Sequence, residues 1–211
     1  MKKFNYYIIY FLNFFFLSEQ SKNWYQFFSK LSEDKYPDAL KDWFYENKKE
    51  ILNLNNPKTF CQKIQWLKLF DINPLKTQLA DKFLVKKWVE NKIGIEYIIP
   101  TIGAWDKFED INFNSLPEKF VLKCNHGSAM NLIVTNKTKI NFIKAKQNFN
   151  KWMNINYAFV NGLELEYKNI SRKIIAEEYI ENYNNEILDY KLWCFNGECE
   201  YIVVMSERKK N

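Results

Sequence analysis

The sequence predicts an α+β protein in which helices come first and a sheet follows. Three observations carry this. Between Tyr36 and Gly94 apolar residues recur at helical spacing and are bracketed by capping signals. After Pro100 the apolar runs shorten to strand length, and Asn196-Gly197 separates two such runs as a type I′ hairpin requires. Hydrophobic residues make 47% of the chain and aromatics 18%, so there is ample material for a core and a disordered tail is excluded. With only 5 glycines in 211 residues and no internal repeat, collagen-like and solenoid architectures have no support either.

The first element is an aromatic-aliphatic run from Tyr6 to Leu17, preceded by Lys2-Lys3. It falls short of the roughly 20 residues that cross a bilayer. Ser18-Glu19-Gln20-Ser21 is a poor cleavage site for a secretion signal. The reading favoured over a cleaved signal is therefore a retained helix within 1–20, docked on the protein or on the inner membrane face of a cytoplasmic protein.

Pro37 opens a helix over Asp38–Glu50 with Leu40, Trp43 and Phe44 on one side. A turn-rich stretch, Asn53–Lys58, leads to Thr59-Phe60-Cys61-Gln62, which reads as a capping box. Phe60, Ile64 and Leu67 share the face behind it. Asp71-Ile72-Asn73-Pro74 stops that helix, and Pro74 suits the first position of the next. Ala80–Ile93 reads as one helix, with Phe83, Trp88 and Val89 available for a core and Gly94 as its stop. Phe120–Lys123 and Leu132–Thr135 are short strands joined by a loop of small and polar residues. Asn141 caps a helix carrying Phe142, Ala145, Phe149 and Trp152. Lys173–Ile180 is a buried strand, and Leu188–Phe195 with Cys199–Met205 forms the hairpin.

Charge and cysteines narrow the function classes. A net charge of +6 permits anionic partners. The positive residues are scattered, apart from Arg208-Lys209-Lys210, and no reading motif for nucleic acid is present. Cys61, Cys124, Cys194 and Cys199 contain no C-x-x-C pair, and one His cannot complete a zinc site. They are expected as buried free thiols in a reducing compartment. No Walker-type, dinucleotide or nucleophile-elbow motif occurs.

The most suggestive local feature is Phe120-Val121-Leu122-Lys123 running into Asn125-His126-Gly127-Ser128. A lysine ending a buried strand is costly to desolvate unless an anion lies beside it. The loop adds backbone N–H groups and a hydroxyl suited to phosphate oxygens. A strand-end lysine that simply reaches solvent is the plainer alternative. Lys82 offers the same choice between an anion ligand and a solvated helix-start lysine. Glu177-Glu178 can meet ribose hydroxyls or cations, or face water on the two sides of a sheet. Asp189 and Lys191 share a strand face, where an i, i+2 ion pair is the simplest account.

The order of these features, more than any one of them, resembles the ATP-grasp layout. The wording resembles the TupA-like ATP-grasp family of surface-polysaccharide clusters: Asn56-Pro57-Lys58-Thr59-Phe60, Lys63-Ile64-Gln65-Trp66-Leu67-Lys68, Leu79-Ala80-Asp81-Lys82, Ile99-Pro100, Phe120 to Ser128, Ile175 to Tyr179, Asp189-Tyr190-Lys191 and Cys194-Phe195-Asn196-Gly197. The resemblance implies ATP and Mg2+ as cofactors, with Lys82 and Lys123 holding nucleotide phosphates. Asn125, His126, Gly127 and Ser128 belong to the loop that closes over them. Glu177, Glu178, Tyr179 and Ile180 form the hinge that receives adenine and ribose, and Asp189 and Lys191 add further nucleotide contacts. Ala129 stands where the family loop usually has Gly, and its methyl group opposes a φ > 0 conformation.

The function so implied is an ATP-dependent carboxylate–amine ligase working through an acyl phosphate on a glycan or amino-acid substrate. A glycosyltransferase-like role, with Glu164-Leu165-Glu166 as a weak stand-in for a D-x-D motif, and a non-catalytic nucleotide-binding fragment are the alternatives. The resemblance divides the chain into 1–35, a helical lead-in and first subdomain over 36–118, a phosphate-loop subdomain over 119–172, and the beginning of the C-terminal core over 173–211. Strings like V-R-V-D and F-G-E-L-T-F, which carry the family's metal ligands, do not occur. A shortened core, Mg2+ ligands outside this chain, an exposed apolar edge at Cys199–Met205 and absent turnover are expected from that.

Overall fold

Side-chain caps and the sheet register together determine where the lysines of this protein end up. The computed structural model describes residues 19–181 and 188–205; the hydrophobic run at Tyr6–Leu17 and the basic Arg208-Lys209-Lys210 lie outside the described residues. The described residues form two compact units, one up to Glu178 and one from Tyr179. Among them no helix is long and apolar enough to cross a membrane.

The first unit begins with α1 (Glu19–Lys30) and α2 (Tyr36–Lys48), the latter carrying Pro37 in its first turn and ending on Lys49 at φ 58°. Both helices turn their apolar stripe inward. Phe28, Leu40 and Phe44 meet Phe159 and Leu163 in a helical core, and burial of that kind contributes about 1.5–3 kcal/mol per large side chain. α3 (Phe60–Phe70) is capped by Thr59, whose hydroxyl accepts from Gln62 N at 3.3 Å. The reciprocal half of the expected box differs: Gln62 Oε1 accepts from Lys58 N at 2.9 Å, one residue earlier than Thr59. The expected apolar face also differs, since Phe60 and Leu67 are exposed and the buried residue of α3 is Gln65.

α4 (Pro74–Ala80) is capped by Asn73, which accepts from Lys76 N at 3.0 Å. The single helix expected over Ala80–Ile93 is interrupted. Asp81 Oδ1 accepts from Phe83 N at 2.8 Å and Leu84 N at 3.2 Å, so its side chain replaces the helical partners of those N–H groups and restarts the chain. α5 (Leu84–Ile93) follows and stops at Gly94, φ 112°. No residue of α5 is fully buried, so Trp88 and Val89 are only half-buried rather than core.

β1 (Thr101–Trp105), β2 (Phe120–Cys124), β3 (Asn131–Val134) and β4 (Ile174–Glu178) form one antiparallel sheet in the order β1-β4-β2-β3. Phe120, Leu122 and Cys124 point to the core while Val121 and Lys123 take the other face, the alternation of a strand with one buried side. α6 (Phe142–Met153), capped by Asn141 accepting from Lys144 N at 3.0 Å, packs Ala145, Phe149 and Trp152 on that core face. The architecture is therefore α+β.

In the second unit β5 (Asp189–Phe195) and β6 (Glu198–Met205) pair across Asn196 (φ 52°) and Gly197 (φ 87°), the two positive values a type I′ turn demands. Tyr190, Leu192, Trp193, Ile202 and Val204 of this hairpin are exposed. All four cysteines are free. Only Cys124 is buried, which corrects the expectation of burial for Cys61, Cys194 and Cys199.

Candidate functional site

The register of the sheet builds the site. On β4, Glu177 lies opposite Val121 of β2 and opposite Thr101 of β1. Paired residues of an antiparallel sheet share a face, and Lys123, two residues beyond Val121, shares it too. Thr101, Glu177 and Lys123 thus converge on the face away from the α6 core. Glu177 is 3% exposed, and a buried carboxylate needs charged partners. It has two: Lys123 Nζ on one oxygen, and Lys86 Nζ on the other at 2.7 Å. Lys86 comes from α5 and also donates to Thr101 Oγ1 at 2.6 Å and to the Ile99 carbonyl at 2.8 Å.

Lys82 closes the third side. Its position follows from the break at Asp81, which turns the chain so that Lys82 N donates to the Asn125 carbonyl at 3.0 Å and Nζ to the Gly127 carbonyl. Burial, with Lys123 as a second cause, holds the Lys82 amine below the ordinary lysine range. Two lysines therefore pair with one buried glutamate while Lys82 stands nearby on the Gly127 carbonyl, and the other buried acid here, Asp81, accepts from backbone N–H groups and the Asn125 amide. The cluster carries a surplus of positive charge. With Glu177 and Asp81 both counted against Lys82, Lys86 and Lys123, the surplus is one positive charge, which favours an anion.

The loop after β2 is held from below. Asn125 is fully buried; its amide donates to Asp81 Oδ1 and to the Ser171 carbonyl, both at 2.9 Å, and its oxygen accepts from Lys173 N at 2.7 Å. His126 is 1% exposed and lies 3.2 Å from the Trp152 carbonyl at the end of α6. A carbonyl can only accept, so Nε2 carries the proton toward Trp152. Burial pushes the imidazole down to about 4 and the Cys124 thiol up to about 12, leaving both neutral. Gly127 packs so closely that a Cβ there would sit 2.6 Å from the Tyr157 ring. Ser128 and Ala129 are exposed. Ala129 adopts φ 59°, so the left-handed conformation that its methyl group opposes is nevertheless taken.

The structure thus brings Lys82, Lys123, Asn125, His126, Gly127 and Glu177 together. Glu178, next along β4, is exposed and its N–H donates to the Pro100 carbonyl at 3.1 Å. Tyr179, Ile180, Asp189 and Lys191 belong to the second unit, where Lys191 Nζ lies 3.3 Å from Asp189 Oδ2 as the i, i+2 pairing suggests. Sequence reasoning missed Lys86 and Thr101. The available signal was spacing: Lys86 stands four residues after Lys82, one helical turn away.

A family model described as TupA-like ATPgrasp matches residues 62–211, most of the chain and all of this cluster. The chain belongs to the TupA-like ATP-grasp family. Its lysine cluster is therefore that of an ATP-grasp-type protein, in the first unit of a TupA-like chain. Neither a curated protein nor a solved structure shows significant similarity to it.

Proposed function

We propose that this TupA-like protein binds ATP through Lys82 and Lys123 and acts as a carboxylate–amine ligase on a cell-surface glycan or amino-acid substrate. The observation that carries the reading is the pairing of Lys86 and Lys123 with the buried Glu177, with Lys82 close by and bonded to the Gly127 carbonyl. A triphosphate supplies the negative charge this cluster lacks, which is the fit expected of a phosphate site. Lys123 turns from Glu177 to phosphate while Lys86 keeps the carboxylate. Asn125 and His126 hold the loop root in place through their side chains, and the loop's backbone faces the phosphates. Gly127 has no room for a side chain against the buried Tyr157 and Met130, which fixes the loop on the core.

ATP would supply the leaving group: a substrate carboxylate oxygen takes the terminal phosphoryl group with release of ADP, and an amine then displaces phosphate to form an amide. The ATP-grasp family also uses Mg2+. Among the described residues no group of three or more His, Cys, Asp or Glu side chains converges on one point, so no residue here is assigned to it. The test is incubation with ATP, Mg2+, D-glucuronate and an amine, and in parallel with a nucleotide sugar in place of ATP, read by mass spectrometry. ADP together with an amide supports ligation. Consumption of a nucleotide sugar without ADP favours glycosyl transfer, and ATP-analogue binding with neither product reduces the role to nucleotide binding.

A further inference from the structure

A second concavity lies in the first unit, away from Glu177, in a cavity of about 460 Å3 bounded by α3, α4 and the segment 164–167. That volume falls within the range that takes small ligands. Its floor is apolar: Ile64 and Leu67 from α3, Leu79 and Ala80 from α4. This also explains why the Ile64–Leu67 stripe is turned away from the helical core.

Its charged lining is unbalanced. Asp71 and Lys76 pair with one another. Lys68 donates to the carbonyls of Asn161 and Gly162, each at 2.9 Å, lies 5.2 Å from the centre of the Trp43 ring, and its ammonium also offsets part of the charge of Glu164 and Glu166. Against that one lysine stand two carboxylates, Glu164 and Glu166, on one short segment beside the Tyr167 ring, which leaves the lining one negative charge in surplus. Burial pushes the Glu164 carboxyl up, with Lys68 opposing and Glu166 adding to the shift. A cation arriving from outside relieves both the burial and the mutual repulsion. An apolar floor with a paired acidic wall suits a compact body that carries one positive group.

The location adds a second argument. Ala80, on the cavity wall, precedes Lys82 by two residues, a Cα separation of at most roughly 7.6 Å. The cavity wall and the phosphate cluster thus lie on either side of the break at Asp81, two residues apart along the chain. We propose that this cavity binds a primary ammonium carried on a sugar or amino-acid body, the amine partner of the ligation. This rests on the ligase reading for its purpose, though its chemistry stands on the cavity alone.

The full chain, 15N-labelled and without nucleotide, is titrated with D-glucosamine, with L-alanine, and with D-glucose, which lacks the ammonium. Either amine is expected to shift the amides of Glu164, Glu166 and Tyr167 with saturation, the responding probe identifying a sugar or an amino-acid body. Glu166→Gln, and separately Glu164→Gln, are expected to weaken that binding about tenfold, with spectra unchanged elsewhere showing that each variant is folded. Absence of saturable shifts with both amines, equal shifts with D-glucose, or unchanged affinity in both folded variants overturns the proposal. Binding of an ATP analogue, measured separately, reports on the ligase reading. Amine shifts without nucleotide binding would sink that reading and keep this site, and the reverse result would do the opposite.

Discussion

Replacing Glu177 by Gln keeps the shape of the side chain and removes the one carboxylate that Lys86 and Lys123 share. Losing one partner of a buried ion pair costs about 3–5 kcal/mol, because the remaining charge stays desolvated. Here the lysine side chains keep some water, 17% exposure for Lys86 and 24% for Lys123, so the cost is discounted to about 2 kcal/mol. For a chain of this size that lowers Tm by about 4–8 °C. The assay is a thermal melt by circular dichroism at low salt, repeated with inorganic sulfate. Sulfate should recover more stability in Glu177→Gln than in the unaltered protein, since an anion replaces the missing charge. Glu178→Gln, one residue on but exposed, should change stability by less than about 0.5 kcal/mol. A Glu177→Gln melt matching the unaltered protein would refute the claim that this carboxylate neutralises the lysines.

Ala129 sits at φ 59°, and an L-residue there costs about 1–2 kcal/mol. Ala129→Gly removes this but adds unfolded-chain entropy, leaving a net gain of about 0.5–1 kcal/mol and a Tm rise of about 2 °C; a lower Tm contradicts the strain. His126 gives a pH signature. Its folded value of about 4 lies below the ordinary 6.5, so the unfolded chain alone takes up the proton between those limits. Stability is then full above about pH 6.5 and falls by up to about 1.4 kcal/mol per pH unit toward pH 4. Urea unfolding at pH 7 and pH 5 should show that loss in the unaltered protein and a smaller one in His126→Asn; equal losses would mean the imidazole titrates as an exposed one.

Much of the fold was readable wherever a single residue has a local job. Asn196-Gly197 specifies its turn through backbone conformation, and Thr59, Asn73 and Asn141 mark helix starts through side-chain caps. Expectations failed where the deciding partner is distant in sequence. Nothing around Ala80 announces that Asp81 will bond Asn125, 44 residues later, and so interrupt the helix. The Phe60, Ile64 and Leu67 stripe has helical spacing, yet periodicity does not say which surface a stripe faces; here Ile64 and Leu67 line a cavity. Lys123 stands out because a lysine ending a buried strand is costly to desolvate, whereas Lys82 gains its role only from the family resemblance. Lys86 was passed over because a lysine in mid-helix is ordinary, and only the β1-β4-β2 register reveals Glu177 beneath it. Asn125 and His126 read as loop polarity, and their burial appears only once Ser171, Lys173 and Trp152 are beside them.

Isothermal titration of a non-hydrolysable ATP analogue into the unaltered protein, Lys82→Ala and Lys123→Ala tests the phosphate site most directly. Lys86 still neutralises Glu177 in the Lys123→Ala protein, so that variant should fold, which circular dichroism checks. Each substitution is expected to weaken analogue binding at least tenfold, or about 1.4 kcal/mol. Binding as tight in both folded variants as in the unaltered protein would contradict the assignment of Lys82 and Lys123 to the nucleotide phosphates.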